Sequence, residues 1–588
     1  MKKTLTLVLI LVFALGSMGL LSAQQNKEDQ KFQKTLDKYF DALWKFYPTA
    51  ATMAGFHKYD KKLEDLDKKD IEKRHEELDA LNKAFVADID KSALSQEGQI
   101  EHEMIINSIS LELTKHEMTL PWAYNPLFYN DIFLNSVRSL MTGSFGSAAE
   151  RTKNAVDRLD DLPKLIKQAK ENLETPPQLH TETAIKQFPA VLNFYKNELP
   201  QLIEAAPADQ KAKLQEKLAK VIPALEDYNN YLSNELLPKS TGNFRLSTAH
   251  TRLLRANFQN DLPVQELIAR TKADIYNIRR EMFLVCIPFY RIMYPDINLE
   301  QLTTQRGEEQ VRNIVIKGVL DNIKGDHVSS DQFIEKIKII KIDIKKFIQE
   351  NQLIDIPENN LTITEMPLEA QGITWTRLLC PAVYETDNDY TLQISPLEDD
   401  LSEENIQSLL EEYNNYFLPF YTVRKIYPGQ FVPYFFLNKD SSLLEKSRPN
   451  LPLIKGWPIY IEEMLVKAGY GNYDLRLRLN QLKLKLKAVL DFSLDLNTHQ
   501  GGLTKEQAVR LMTITGFQTK AEAEKNWTRI ALKPLDASYA YVGYQELLDM
   551  EKTYKQKAGD SYSQKEFLAK VLSYGMLPLR YLKQKIEE

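Results

Sequence analysis

Apolar residues recurring every three or four positions run through most of this chain, and that spacing commits it to helices that each bury one stripe. From Ser147 to Glu174 the recurring set is Val156, Leu159, Leu162, Ile166, Ala169 and Leu173. Ser147 with Glu150 reads as a capping box at the start, and Thr175-Pro176-Pro177 ends the segment. A second stripe comprises Leu214, Leu218, Ile222, Leu225, Tyr228 and Leu232, with Pro223 kinking or dividing the helix. A third helix is expected from Val264 to Phe283. Between Asp474 and Leu490 leucines alternate with lysine or arginine as in a strand, but these residue types favour helix, and Leu475, Leu479, Leu482, Leu486 and Val489 make a helical stripe. Thr504 and Gln507 form a capping box for a helix over Lys505 to Thr513.

Strand signals are few. Tyr390 to Ser395 alternates before Pro396, and Leu361 to Thr364 offers a pairing partner, so a small sheet is expected between the two halves. The 588 residues exceed one small core, which requires at least two layers of packed helices. A boundary is placed at Ile356-Pro357-Glu358-Asn359-Asn360, dividing an N-terminal helical part, 24–355, from a C-terminal part, 356–588.

Met1-Lys2-Lys3, an apolar run from Leu5 to Leu21 and Ser22-Ala23-Gln24-Gln25 follow the order of a secretory signal peptide spanning 1–23, cut after Ala23. An uncleaved anchor is the alternative. No cysteine near the cut offers attachment to a lipid, and no later apolar run could span a bilayer. The reading is an exported protein, periplasmic or secreted. The formal charge of −6 and the lack of a basic stripe argue against nucleic acid. Cys286 and Cys380 sit in apolar settings that suit buried thiols, with a single disulfide left open.

A zinc-protease helix needs His-Glu-x-x-His, so that two imidazoles share a face. The His-Glu pairs at His75, His102 and His116 lack it, with Asp79, Ile106 and Leu120 at the fourth position. Gly143-Ser144-Phe145-Gly146-Ser147 has the wrong glycine spacing for a hydrolase elbow. The run Tyr421 to Phe431 sets a Pro-Gly pair among aromatics, which on residue physics alone is a turn between two buried helices.

Several ordered landmarks then resemble the bacterial domain of unknown function 885 family. Tyr47 to Asp60 is similar to its opening pattern, and Phe567, Leu572, Gly575, Pro578 and Leu579 to its closing one. Asn414 to Val423 leads into the position of the family's His-Glu-x-x-Pro-Gly-His. There the histidines are replaced by Arg424 and Gln430 and the glutamate by Lys425, while Tyr427, Pro428 and Gly429 remain. Glu-Gly-Trp-Ala becomes Lys455-Gly456-Trp457-Pro458, with Tyr460 and Glu462 kept. Asp-x-x-x-His survives as Asp495 and His499, followed by Gly502 and Thr504, and Pro-Gly-Gln-Ala is half lost as Pro534-Leu535-Asp536-Ala537.

The resemblance implies a mainly α, large multi-helix metallopeptidase-like fold with a central cleft and a small β element. It also implies that this member has lost the family-type zinc site, since Arg424, Lys425 and Lys455 bring cations where ligands and a general base would stand. No cofactor is expected. The basic side chains are expected to occupy the vacated site and pair with Asp495 or Glu462; the alternative turns Arg424 and Lys425 to solvent. The leading function is a pseudoenzyme that binds peptides or a protein partner, its cleft lined by aromatics from Phe431 to Phe436 and Tyr539 to Tyr544 unless these are core. A hydrolase rebuilt from Asp495, His499, Asp536 and Glu462, or a purely structural envelope protein, are the alternatives.

Overall fold

In a computed structural model the protein is described over residues 27–588, apart from 205, 261, 359–360, 367–375, 386–388 and 397–401. The expected leader, 1–23, lies outside the described residues. The architecture is mainly α, with one small sheet.

The apolar stripes explain the helices. Ala148–Asn172 buries Leu159, Leu162, Ile166 and Ala169, and the Ser147 hydroxyl accepts from Glu150 N at 3.1 Å. Ala208–Tyr231 continues through Pro223 without dividing. Val264–Met293 runs well beyond the expected end at Phe283, because Cys286 and Tyr290 extend its buried face. Six helices carry the candidate site: α1, Thr248–Phe258; α2, Leu418–Lys425; α3, Leu451–Lys467; α4, Leu475–His499; α5, Lys520–Leu532; and α6, Asp536–Ala558.

Helix α4 shows why its sequence alternates. From Leu479 onward it is buried on nearly every side, so no single stripe had to stand out. Its lysines reach carboxylates: Lys483 to Glu412 at 2.9 Å, Lys485 to Glu463 at 2.6 Å and Lys487 to Asp491 at 3.3 Å.

Three strands form the sheet: β1, Leu361–Glu365; β2, Thr376–Leu379; and β3, Tyr390–Ile394. β3 is central, parallel to β1 with Leu361 opposite Tyr390, and antiparallel to β2. β2 has no clear alternation, since its side chains are partly exposed on both faces.

One core runs from Leu254 to Ile586 and holds all six site helices. A second gathers residues between Leu63 and Leu236, and a third joins the first helices to Leu444. Trp44 Nε1 donates to the Tyr384 hydroxyl at 2.8 Å and Arg448 reaches Glu112 at 3.2 Å, tying the start of the chain to its later half. Among the described residues no helix is long and apolar enough to cross a membrane. Cys286 and Cys380 are free thiols.

Candidate functional site

Helix α2 carries Pro419 in its first turn, where the missing backbone N–H leaves no helical hydrogen bond unmade, and ends at Arg424 and Lys425. The chain then turns through Tyr427 to Gln430. Gly429 N donates to Val423 O at 3.0 Å, and a Cβ on Gly429 would lie 2.1 Å from that oxygen, so no other residue fits. Trp457 Nε1 of α3 donates to Pro428 O at 3.3 Å, which pins the turn. Tyr427 is buried beside it, whereas Gln430 is half-buried at the turn's end. Helices α3 and α6 meet backbone to backbone: a Cβ on Gly456 would lie 2.3 Å from Gly543 C. Tyr427, Pro428, Gly429, Gly456 and Trp457 thus hold the site's frame.

Lys455 and Glu462 are two turns apart on α3 and serve two charge clusters. In the first, Arg424 grips the fully buried Glu462 with both arms of its fork, Nε to Oε1 at 2.6 Å and Nη2 to Oε2 at 2.7 Å. Its Nη1 donates to Leu484 O at 3.1 Å. Burial raises the Glu462 carboxyl, and Arg424 opposes it.

In the second cluster Asp536, at the start of α6, takes Lys455 and Arg529 together, the latter at 2.9 Å. Arg529 also reaches Asp491 at 2.7 Å, and Asn526 Nδ2 donates to the other Asp491 oxygen at 2.7 Å. Burial pushes the Asp536 carboxyl upward, but Lys455 and Arg529 outweigh it and hold it well below the usual carboxylate range. Lys425 stands beside this cluster and makes no hydrogen bond or ion pair to a described residue. Burial, then Arg529, Arg424 and Lys455, push its ammonium down to about 8.

Asp495 and His499 form a third, separate group that takes no lysine or arginine from the motif positions. The Asp495 carboxylate accepts from Leu535 N at 3.1 Å, from the Ser538 hydroxyl and from His250 of α1 at 3.3 Å. Gln500 Nε2 donates to His250 Nδ1 at 2.9 Å, which leaves His250 Nε2 as the N–H facing Asp495. His499 Nε2 donates to Ile530 O at 3.0 Å and lies 3.8 Å from Asp495. The rings of His250 and His499 stack at 5.2 Å. Burial lowers the basicity of His499, and solvent reaches neither it nor Asp495 to any useful extent.

The donor set fits a divalent metal poorly. His499 Nδ1 is buried without a partner and would be one ligand, but Glu462 has both oxygens on Arg424, and Lys425 and Lys455 add further positive charge. Among the described residues the one group of three with metal-ligand spacing is Asp65, Asp67 and Asp70, which includes no motif residue. Most of the expected aromatic lining is core: Phe431, Tyr541 and Tyr544 are buried, and Tyr434 is half-buried. Sequence reasoning missed His250, Asp491, Asn526, Arg529 and Ser538, which come from elements distant in sequence. Only the one-turn spacing of Asn526 and Arg529 hinted at a shared partner.

The model of a family described as a bacterial protein of unknown function, DUF885, matches residues 48–586. The chain belongs to the DUF885 family. The solved structure of a candidate lipoprotein of unknown function from Shewanella oneidensis resembles this DUF885 chain with a TM-score of 0.79 at 24% identity, covering 95% of this chain and 100% of the other. Another, a candidate lipoprotein from Colwellia psychrerythraea, gives 0.72 at 15% identity, covering 96% and 99%. At these identities the likeness establishes the shared fold of the DUF885 chain. No curated protein matches it.

Proposed function

We propose that this chain is an exported, non-catalytic DUF885 protein, a pseudoenzyme of a metallopeptidase-like family that binds a peptide or protein partner without cutting it. The observation that carries the reading is the fork of Arg424 on Glu462: a guanidinium takes both oxygens of the retained carboxylate at the position of the first motif histidine. Lys425 and Lys455 add positive charge where a metal-bound water would need a base. The rebuilt-hydrolase alternative draws no support from Asp495 and His499, whose polar contacts are internal and closed to substrate. Export is supported by the leader pattern at 1–23 and by the description of both similar structures as candidate lipoproteins.

The test is the zinc content of the purified mature protein after exposure to excess zinc and desalting. The expected result is no retained metal. Stoichiometric zinc that disappears in His499→Ala would overturn the reading and call for a peptidase assay.

A further inference from the structure

We propose that a cleft between helix Gln96–Thr114, the end of α1 and helix Leu579–Glu587 binds a small organic carboxylate, whose acid group pairs with the Arg255 guanidinium. The site shares no residue with the three groups described above and does not depend on whether these hold metal.

The cleft measures about 260 Å³, which suits a small molecule. Pro578, a landmark of the closing pattern that no other site uses, forms part of its wall. The polar groups around it are unevenly committed. Glu103 is saturated: Lys91 and the Tyr581 hydroxyl donate to it, and Arg580 Nη1 lies 3.8 Å away. Burial raises its carboxyl, but these partners outweigh it and hold it below the ordinary value. Asn107 Nδ2 donates to Gln259 Oε1 at 3.0 Å, which leaves Gln259 Nε2 as a donor and Asn107 Oδ1 as an acceptor without a partner among the described residues. Arg255 is exposed on the cleft and makes no hydrogen bond or ion pair to a described residue. It is the lining charge that the fold itself leaves unanswered.

A guanidinium takes a carboxylate through two parallel N–H donors, a fit that a neutral amide cannot match. Two carbonyls at the end of α1, which would repel an acid, are already taken: Arg255 O accepts from Gln259 N at 3.4 Å, and Gln259 O from Arg580 N at 3.1 Å. Ile106 and the Tyr581 ring, both half-buried, supply apolar surface in the same cleft. The uncommitted donor of Gln259 and acceptor of Asn107 suit an amide group. An acylated amino acid carries all three features, an acid, an amide and a small apolar body. A bare inorganic anion uses only the first.

The experiment is calorimetric titration of the full mature chain with N-acetylalanine, its amide N-acetylalaninamide, and inorganic phosphate. The expected result is saturable binding of the acid with a dissociation constant of the order of 1 mM or tighter, weakened at least about tenfold for the amide and in Arg255→Gln, and tighter than that of phosphate. Because Arg255 is exposed and pairs with no described residue, Arg255→Gln should unfold at the wild-type temperature and report on binding alone. In a measurement that needs no variant, the bound acid should shield Arg255 from phenylglyoxal in a mass-spectrometric peptide map, and the amide should not. No saturable binding of the acid, equal binding of acid and amide or of acid and phosphate, binding unchanged by Arg255→Gln, or labelling of Arg255 that the acid leaves unaltered would overturn the proposal. Retained zinc in the preceding test would leave this result readable, since neither Arg255 nor the amide pair belongs to the motif positions.

Discussion

Replacing Lys425 by Met should stabilise the unliganded protein. Met has a similar length and no charge to desolvate. The distance from the ordinary 10.5 to about 8 corresponds to about 3 kcal/mol, an upper bound because the lysine is only half-buried. The expected gain at pH 7 is therefore about 1–3 kcal/mol. Its pH dependence has a definite sign. Below pH 8 the lysine is charged in both states, and the folded state carries the whole penalty. Between about 8 and 10.5 the folded protein sheds the proton while the unfolded chain keeps it, so the wild type catches up. Urea unfolding of both proteins at pH 7, 9 and 10.5, followed by the fluorescence of the buried Trp457 and Trp527, measures the gap. A gap that is absent at pH 7, has the opposite sign, or persists unchanged to pH 10.5 would refute the reasoning.

Arg424→Met alone should cost about 3–5 kcal/mol, because it strands Glu462 in the core, whereas Arg424→Met with Glu462→Leu should recover most of that loss; thermal unfolding of the two variants decides it. Burial raises Glu112 and Glu463, but Lys115 with Arg448, and Lys485, outweigh it and hold both carboxyls at about 2. Each contributes stability above the ordinary value of 4.5 that is lost as pH falls towards 2, up to about 3 kcal/mol, so circular dichroism should show acid unfolding within that window and Glu463→Gln should flatten it. Burial pushes the Cys286 thiol up to about 12, so iodoacetamide at pH 8 should label it only after unfolding; rapid labelling of Cys286 in the native protein would contradict its placement.

Much of the fold was legible because helices are local. The stripes of Ala148–Asn172 and Ala208–Tyr231, and the capping box at Thr504, depend on residues three or four apart, which the sequence displays directly. β1 and β3 were legible from alternation, whereas β2 carries partly exposed side chains on both faces and left no such trace. The frame of the site was legible too. Gly429 and Gly456 stand where a backbone approaches too closely for a Cβ.

The partners of the charged residues were another matter. The sequence offered Asp495 and Glu462 equally to Arg424. The fold gives Glu462 to Arg424 across 38 positions, and gives Asp495 to His250 across 245. By itself the sequence determined the helical stripes of segments such as Ala148–Asn172 and Ala208–Tyr231 and the cationic residues at 424, 425 and 455, since these follow from residue type and short-range spacing. Only the tertiary structure decided which carboxylate each cation meets and that Lys425 meets none among the described residues, because ion pairing depends on distances and burial set by helices far apart in the chain.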